Sequence, residues 1–127
     1  MKLLVDTSVL IDVLRAQKQR REYLAQAVRE GHTLVTTALN VAELYAGMRE
    51  PEVRSTEALL AGLECIDVSG SIARLAGKLK RDWAQKGRTL TLADTIVAAT
   101  AIERNCPLLT NNRRDFPMPE INLLSIP

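Results

Sequence analysis

The chain has 127 residues, of which 46% are hydrophobic and 25% are charged, and its formal net charge is +2. This balance is typical of one folded domain and excludes a largely disordered chain. No stretch reaches the roughly 18 uncharged apolar residues that a membrane span needs, and Asp6 ends the first apolar run too early for a signal peptide. Two cysteines, Cys65 and Cys106, do not make a disulfide framework. We therefore expect a cytoplasmic protein without a membrane partner.

Short β-like runs alternate along the chain with longer segments that have the apolar spacing of helices. The predicted elements, in chain order, are strand Lys2–Val5, helices Ser8–Leu14 and Gln19–Glu30, strand Thr33–Thr37, helices Ala38–Arg49 and Pro51–Gly62, strand Glu64–Val68, a helix capped by Ser69 and ended by Gly87, helix Leu92–Asn105, strand Cys106–Thr110, a turn at Asn112–Asp115 and a last edge strand at Ile121–Leu124.

This alternation predicts an α/β domain spanning residues 1–127, in which a parallel sheet is covered by helices on both faces. Right-handed crossovers place the carboxyl ends of all the strands at one edge of the sheet. Ligands of open α/β sheets bind at that edge. The candidate functional residues are therefore those that follow the predicted strands.

Four acidic residues stand in apolar sequence: Asp6, Glu43, Asp94 and Asp115. Three of them lie at the carboxyl ends of predicted strands or in the loop or helix start just beyond, and Glu43 lies two turns into the helix after the second strand. Carboxylates brought within about 4 Å of each other repel by roughly 4 kcal/mol per pair, and protonation or a divalent cation relieves this cost. Hard oxygen ligands suit Mg²⁺ or Mn²⁺ rather than Zn²⁺. A metal that keeps open positions is what phosphodiester hydrolysis requires. The small residues Ala46 and Gly47, one turn after Glu43, leave room for such an ion or for substrate.

Each of these acids also has an ordinary structural interpretation. Asp6 could cap the helix that follows it, and Asp94 lies in a capping-box pattern that begins at Thr91. Glu43 could be an exposed helical acid, and Asp115 could be a turn residue. The joint pattern, more than any single acid, indicates a metal site. Three other acids are expected to be ordinary surface or edge residues: Asp12, Asp67 and Asp82.

Four segments resemble the PIN-domain family and, more narrowly, the VapC-type ribonuclease toxins of toxin–antitoxin pairs. These segments are Val5–Asp12, Thr37–Leu44, Leu92–Ala99 and Leu109–Phe116, and they occur in the family's order over nearly the whole chain. The resemblance implies a three-layer α/β/α sandwich with a central, mainly parallel sheet. It also implies a Mg²⁺- or Mn²⁺-dependent endoribonuclease.

The resemblance assigns roles to individual residues of this chain. Asp6 and Asp94 match the principal metal ligands, Glu43 matches the third acid, and Asp115 matches the fourth and most variable one. Supporting positions, which are small hydroxyl residues and a polar residue that steadies the last loop, are Thr7, Ser8, Thr110 and Asn112. One departure is Asn111, which stands where relatives commonly carry a basic residue.

The family pattern further implies partners. It implies a homodimer that is silenced by a VapB-type antitoxin, whose tail enters the acidic groove, and operator DNA that is bound only through the antitoxin. Two alternatives stay open. One is a phosphoryl-accepting receiver-like domain, and the other is a catalytically silent PIN-fold module that acts through antitoxin or operator binding.

Basic residues are concentrated in two runs, Arg15–Arg21 and Arg74–Arg88, and in a pair after the last long strand. Such runs are by default solvated faces. Because only 3% of the residues are aromatic, contact with RNA would depend on phosphate charge rather than on base stacking. The candidate contacts to an RNA backbone are Arg15, Lys18, Lys78, Arg81, Lys86, Arg88, Arg113 and Arg114.

Overall fold

The computed structural model describes residues 1–127 and consists of a parallel sheet with helices on both faces. The elements, in chain order, are β1 Lys2–Val5, α1 Thr7–Leu14, α2 Arg20–Arg29, β2 Thr33–Thr37, α3 Ala38–Gly47, α4 Val53–Ala61, β3 Glu64–Ile66, α5 Gly70–Gln85, α6 Leu92–Glu103 and β4 Leu108–Leu109. Short 3-10 turns occur at Glu50–Glu52 and Arg113–Asp115. No helix is both long and apolar enough to cross a membrane.

The strand β1 lies where the strand order reverses, that is, where successive strands switch from one side of β1 to the other. The order is β3-β2-β1-β4, and every pair is parallel. The chain builds outward from β1 to β3 and then crosses back to lay β4 on the other side of β1. Open α/β sheets bind ligands at such a reversal. A receiver domain instead has β1 between β2 and β3, so the receiver-like alternative is wrong.

Alternate residues of β1 face two separate apolar cores, which confirms the predicted three-layer fold. Leu4 faces the core that α5 and α6 cover, whereas Leu3 and Val5 face the core that α1, α2 and α3 cover. This period of two is the geometry of an extended strand. The helices α5 and α6 are antiparallel, since Ser71 near the start of α5 donates a hydrogen bond to Glu103 at the end of α6.

Several predicted boundaries are wrong. The strand that starts at Glu64 ends at Ile66 rather than Val68, and the strand predicted at Cys106–Thr110 is Leu108–Leu109. The third helix ends at Gly47 rather than Arg49, and the backbone at Met48 is extended (φ −77°, ψ 136°). The predicted strand at Ile121–Leu124 is reduced to one bridge, between Leu108 and Leu123. Its inner neighbour β4 has only two residues, so β4 offers too short an edge for a further strand to pair along.

Candidate functional site

The Asp6 carboxylate directly follows β1, where the strand order reverses, and it accepts hydrogen bonds from three other side chains. Asp6 is only 6% exposed. Its Oδ2 accepts hydrogen bonds from Thr110 Oγ1 at 2.8 Å and Ser8 Oγ at 3.3 Å, and its Oδ1 accepts one from Asn40 Nδ2 at 3.4 Å. Asp6 occupies the N-cap position of α1, but its side chain makes no capping hydrogen bond. The carboxylate is therefore free of the capping role that the sequence also allowed.

Glu43 is connected to Asp6 through neutral polar groups. It is exposed on α3, and its Oε1 accepts a hydrogen bond from Thr7 Oγ1 at 2.8 Å. Asn40 is fully buried and donates from Nδ2 to Thr7 Oγ1 at 2.8 Å as well as to Asp6. Thr37 and Asn40 form the capping box of α3. The same asparagine thus starts the helix that carries one acid and orients the next.

Asp94 and Asp115 form the other half of the acidic group, and both are half-buried. Asp94 lies in the first turn of α6, where its backbone N–H is capped by Thr91 Oγ1 at 3.1 Å. Asp115 lies in the 3-10 turn after β4. Sheet order therefore brings acids from opposite ends of the chain to one place.

Burial, with a smaller contribution from neighbouring acids, raises the pKa of Asp6 and of Asp94. Burial raises the pKa of Asp6, the hydrogen bond from Thr110 opposes this, and the charge of Glu43 adds to it. Burial also raises the pKa of Asp94, against a hydrogen bond from Thr91, and the charges of Asp115 and Asp6 raise it further. No basic side chain is among the groups that shift either pKa. The four acids are therefore one electrostatic group without an internal cation.

The chemistry of this group fits a hard divalent cation, although its acids are not gathered at ligand distances. No three His, Cys, Asp or Glu side chains are arranged so that they could hold one metal ion together. The available donors are carboxylates and hydroxyls, the oxygen ligands that suit Mg²⁺ and Mn²⁺. The raised pKa of Asp6 and that of Asp94 show that added positive charge would stabilise the ionised group.

The predicted supporting residues lie around Asp6, but in the loop after β4 the side chain that makes the hydrogen bonds is that of Asn111 rather than Asn112. Ser8 and Thr110 donate to its carboxylate, as described above. Asn112 contributes its backbone N–H, which donates to Thr110 Oγ1 at 3.0 Å. The side chain that binds across this loop is that of Asn111, which donates from Nδ2 to Asp12 Oδ2 at 2.6 Å. Sequence reasoning missed Asn40 and Asn111; the Thr37–Asn40 capping spacing could have indicated the first of them.

Asp12 is buried, with 6% of its surface exposed, so the expectation of an ordinary surface or edge acid is wrong. Its Oδ2 lies 3.8 Å from Nε of Arg20, which is also buried. Arg20 belongs to the first basic run of the sequence, and the structure removes it from the solvated face. Asp67 is exposed, and Asp82 pairs with Lys78 at 2.9 Å.

The basic residues predicted to contact RNA are all exposed. Arg15 and Glu43 line the same small pocket of about 80 Å³, so Arg15 lies near the exposed acid of the group. Lys86 lies over the ring of Trp83 at 4.4 Å. Arg113 donates from Nη1 to the carbonyl of Leu124 at 3.1 Å.

A larger apolar cleft of about 480 Å³ opens between α1, α2 and α4. Val13, Leu24 and Leu59 line it, and Val28 at its rim is 52% exposed. Leu14 lines both this cleft and the pocket that contains Glu43. The apolar cleft and the pocket of Glu43 are therefore neighbours on either side of Leu14.

Comparison with known proteins agrees with this geometry. The PIN domain model matches residues 3–119. The chain belongs to the PIN-domain family. Ribonuclease VapC19 of Mycobacterium tuberculosis is 36% identical over 115 residues, which cover 91% of this chain and 92% of the relative. Ribonuclease VapC10 of the same organism is 36% identical over 116 residues, covering 91% and 86%. The resemblance to VapC-type proteins is therefore confirmed.

Solved structures of toxin–antitoxin proteins share the fold. A chain of VapBC2 from Rickettsia felis, solved bound to a DNA fragment from their promoter, superposes with a TM-score of 0.86 at 24% identity and 98% coverage of both chains. A chain of DNA-bound VapBC from Salmonella typhimurium gives a TM-score of 0.85 at 22% identity, with 98% and 97% coverage. At this level of identity, the superposition shows that these chains share the fold of this protein.

Proposed function

We propose that this PIN-domain protein is a metal-dependent endoribonuclease and the toxin of a VapBC-type toxin–antitoxin pair. The observation that carries the proposal is the grouping of Asp6, Glu43, Asp94 and Asp115 near the carboxyl end of β1, where the charges of neighbouring acids raise the pKa of Asp6 and of Asp94. Relatives at 36% identity that carry the name ribonuclease VapC support the same reaction. The substrate is RNA, and the bond cleaved is a phosphodiester.

In this proposal Asp6, Asp94 and Asp115 would hold Mg²⁺ or Mn²⁺, with Asp6 and Asp94 as the principal ligands, and Glu43 would bind the metal directly or through water. The bound metal supplies an activated water and relieves charge on the attacking and leaving oxygens. Thr110 and Ser8 hold Asp6 so that its carboxylate stays oriented. Glu43 is the exposed acid of the group, so it is placed to orient or deprotonate the attacking water.

The substrate would be held through its phosphates. Arg15 shares a pocket with Glu43, and Arg113 and Arg114 share a turn with Asp115. These three cations flank the acids on both sides, and the basic part of α5 extends the positive surface. Binding should therefore weaken as salt concentration rises.

The partner in this proposal is a VapB-type antitoxin, and the solved relatives support it because they are toxin–antitoxin complexes. An apolar segment of the antitoxin would fill the cleft around Leu24 and Leu59. Because this cleft and the pocket of Glu43 both adjoin Leu14, a segment that runs on past Leu14 would come to Glu43 and block it. We also expect a cytoplasmic homodimer that contacts operator DNA through the antitoxin.

The test compares purified Asp6→Asn and Asp94→Asn with wild type for cleavage of RNA in Mg²⁺ or Mn²⁺. Loss of a metal ligand should lower the cleavage rate by roughly 100-fold or more, since metal stabilisation of charge is worth several kcal/mol. Asp67→Asn is the matched control, because Asp67 is exposed and lies outside the acidic group. Undiminished cleavage by either acid variant would contradict the assignment. Wild type without saturable Mn²⁺ binding would instead indicate the silent module.

A further inference from the structure

We infer that Arg20 is a positioning residue of the proposed nuclease site, which it reaches through Asn111 and Ser8. Arg20 is the first residue of α2 and is only 5% exposed. Its Nη2 donates to Asn111 Oδ1 at 2.9 Å, and its Nη1 donates to the carbonyl of Pro127. Its Nε is buried without a hydrogen-bond partner, 3.8 Å from Asp12 Oδ2. An arginine is buried at a cost, and its contacts have to offset that cost.

Asn111 transfers this fixed position to the acidic group. Its Nδ2 donates to Asp12 Oδ2 at 2.6 Å and to the Ser8 carbonyl at 3.3 Å, while its backbone N–H donates to Ser8 Oγ at 3.1 Å. Both ends of the Asn111 amide are thus engaged. Ser8 Oγ in turn donates to Asp6 Oδ2 at 3.3 Å. Hydrogen bonds therefore connect the Arg20 guanidinium with the Asp6 carboxylate without a break.

The loop before Arg20, which connects α1 and α2, has an unfavourable backbone conformation. In the loop between α1 and α2, three residues have left-handed φ angles: Ala16 at 52°, Lys18 at 55° and Gln19 at 54°. The left-handed region disfavours L-residues with a Cβ atom, and such outliers persist where the surroundings determine the conformation and are common at functional sites. Here the surroundings are the contacts of Arg20, which close the loop onto the residues that follow β4.

The guanidinium shape matters to this role. Two nitrogens of Arg20 point to different acceptors, the Asn111 amide oxygen and the Pro127 carbonyl. A lysine keeps the charge near Asp12 but offers one nitrogen rather than a planar fork. Arg20→Lys therefore removes the connection to Asn111 while keeping the ion pair. This separates positioning from simple charge neutralisation.

The inference rests on the proposed function, so the experiment has a kinetic arm and an arm that is independent of activity. In the kinetic arm, Arg20→Lys should lower kcat for metal-dependent RNA cleavage by about 10- to 100-fold, the range for residues that orient metal ligands, with KM changed by less than about 3-fold. Arg29→Lys is the matched control, because Arg29 is exposed at the far end of α2 and bonds only Gln26.

A double variant tests the route. If Arg20 acts through Asn111, Arg20→Lys in an Asn111→Ala background should lower kcat no further than about 2-fold, because the connection is already broken. Effects that multiply would overturn the route. A kcat for Arg20→Lys equal to that of Arg29→Lys would overturn the inference. If Arg20→Lys fails to fold, Asn111→Ala alone has to show the same loss of kcat at unchanged KM.

The second arm is amide hydrogen exchange on the full-length protein without metal or RNA. The Asn111 and Asn112 N–H groups are held by Ser8 Oγ and Thr110 Oγ1. In Arg20→Lys both should exchange about 10-fold faster or more, while the amides of α6 should not change. Unchanged exchange at both positions would overturn the inference. If wild type cleaves no RNA, the proposed function fails, and this arm still decides whether Arg20 fixes the loop.

Discussion

The two halves of the acidic group differ in how they are held. Asp6 is almost fully buried and receives hydrogen bonds from Ser8, Asn40 and Thr110. Asp94 is half-buried, and the group that bonds it, Thr91, belongs to the start of its own helix. Asp6 is therefore held in part by residues distant in sequence, Asn40 and Thr110. The position of Asp94 depends instead on where α6 begins.

This difference has a chemical consequence. A carboxylate that is already oriented loses little freedom when it binds an ion, whereas a looser one can adjust to the ion. The arrangement lacks three acids at common ligand distances. In the proposed enzyme, Asp6 would supply a fixed ligand, and Asp94 and Asp115 would be the ligands that adjust to the metal.

The largest effect should separate Asp6 from Asp115. Asp6→Asn should lower cleavage by roughly 100-fold or more, since it removes the fixed ligand, while Asp115→Asn should lower it by only about 10-fold, because this acid lies on the adjustable half. Rates measured at saturating Mn²⁺ check the ranking. Equal losses would show that the two halves contribute alike.

A pair of threonines sharpens the same comparison. Thr110→Val removes the 2.8 Å hydrogen bond to Asp6 and should lower cleavage by about 10-fold or more. Thr91→Val removes the N-cap of α6 and should lower the free energy of unfolding by about 1 kcal/mol. Measuring both quantities on both variants is the test. A larger activity loss for Thr91→Val than for Thr110→Val would reverse the ranking of the halves.

Protonation should also distinguish the halves. Burial raises the pKa of Asp6 in the folded state, so its contribution to stability is present below its ordinary pKa and is lost as pH rises through the raised value. Without metal, Asp6→Asn should therefore have a Tm a few degrees above wild type at neutral pH, roughly 2 to 5 °C. The difference should disappear on acidification below about pH 4.

Thermal unfolding in EDTA at several pH values measures this effect. Asp94→Asn should show a smaller gain, because Asp94 is only half-buried. Added Mn²⁺ should raise the Tm of wild type and not that of Asp6→Asn. An Asp6→Asn variant that is less stable than wild type at neutral pH would contradict this interpretation of the buried acid.

The smallest effect concerns the loop that carries Arg20. Ala16 has a φ of 52°, a conformation that glycine adopts without the steric cost of a Cβ atom. Ala16→Gly should raise the free energy of unfolding by about 0.5 to 1 kcal/mol, with Ala25→Gly inside α2 as a control that lowers it by a similar amount. Denaturant unfolding measures both. A destabilised Ala16→Gly would show that the loop carries no strain.

Much of the fold could be predicted because its signals are local. The periodicities of two and of about 3.6 residues located the strands and helices, and the alternation of the two fixed the parallel sheet. The sequence of Ile121–Leu124 could not show that this segment does not form a strand, because that depends on the length of its partner β4. Local pattern does not report the length of a neighbouring edge.

The candidate site shows the same limit. Asp6 and Asp94 stand out because each interrupts apolar sequence. Asp12 also interrupts apolar sequence, but it lies inside a predicted helix rather than at a strand end, and Arg20 lies in a polar segment. Only the folded structure shows that both side chains are buried and bond Asn111. The capping spacing of Thr37 and Asn40 could have predicted the helix start, but the contacts of Asn40 with Thr7 and Asp6 appear only in the folded structure. The roles of the four acids as metal ligands stay a prediction.

The acids are dispersed from Asp6 to Asp115 along the chain, and this has a consequence for biosynthesis. A ribosome that has translated the first half of the message has produced only two of the four groups, and β4, which completes the fold around Asp6, comes near the end of translation. In the proposed enzyme, the nascent polypeptide would therefore lack a complete acidic group for most of its elongation. Activity would arise in a single late step, which gives an inhibitor one short interval in which to meet a newly finished enzyme.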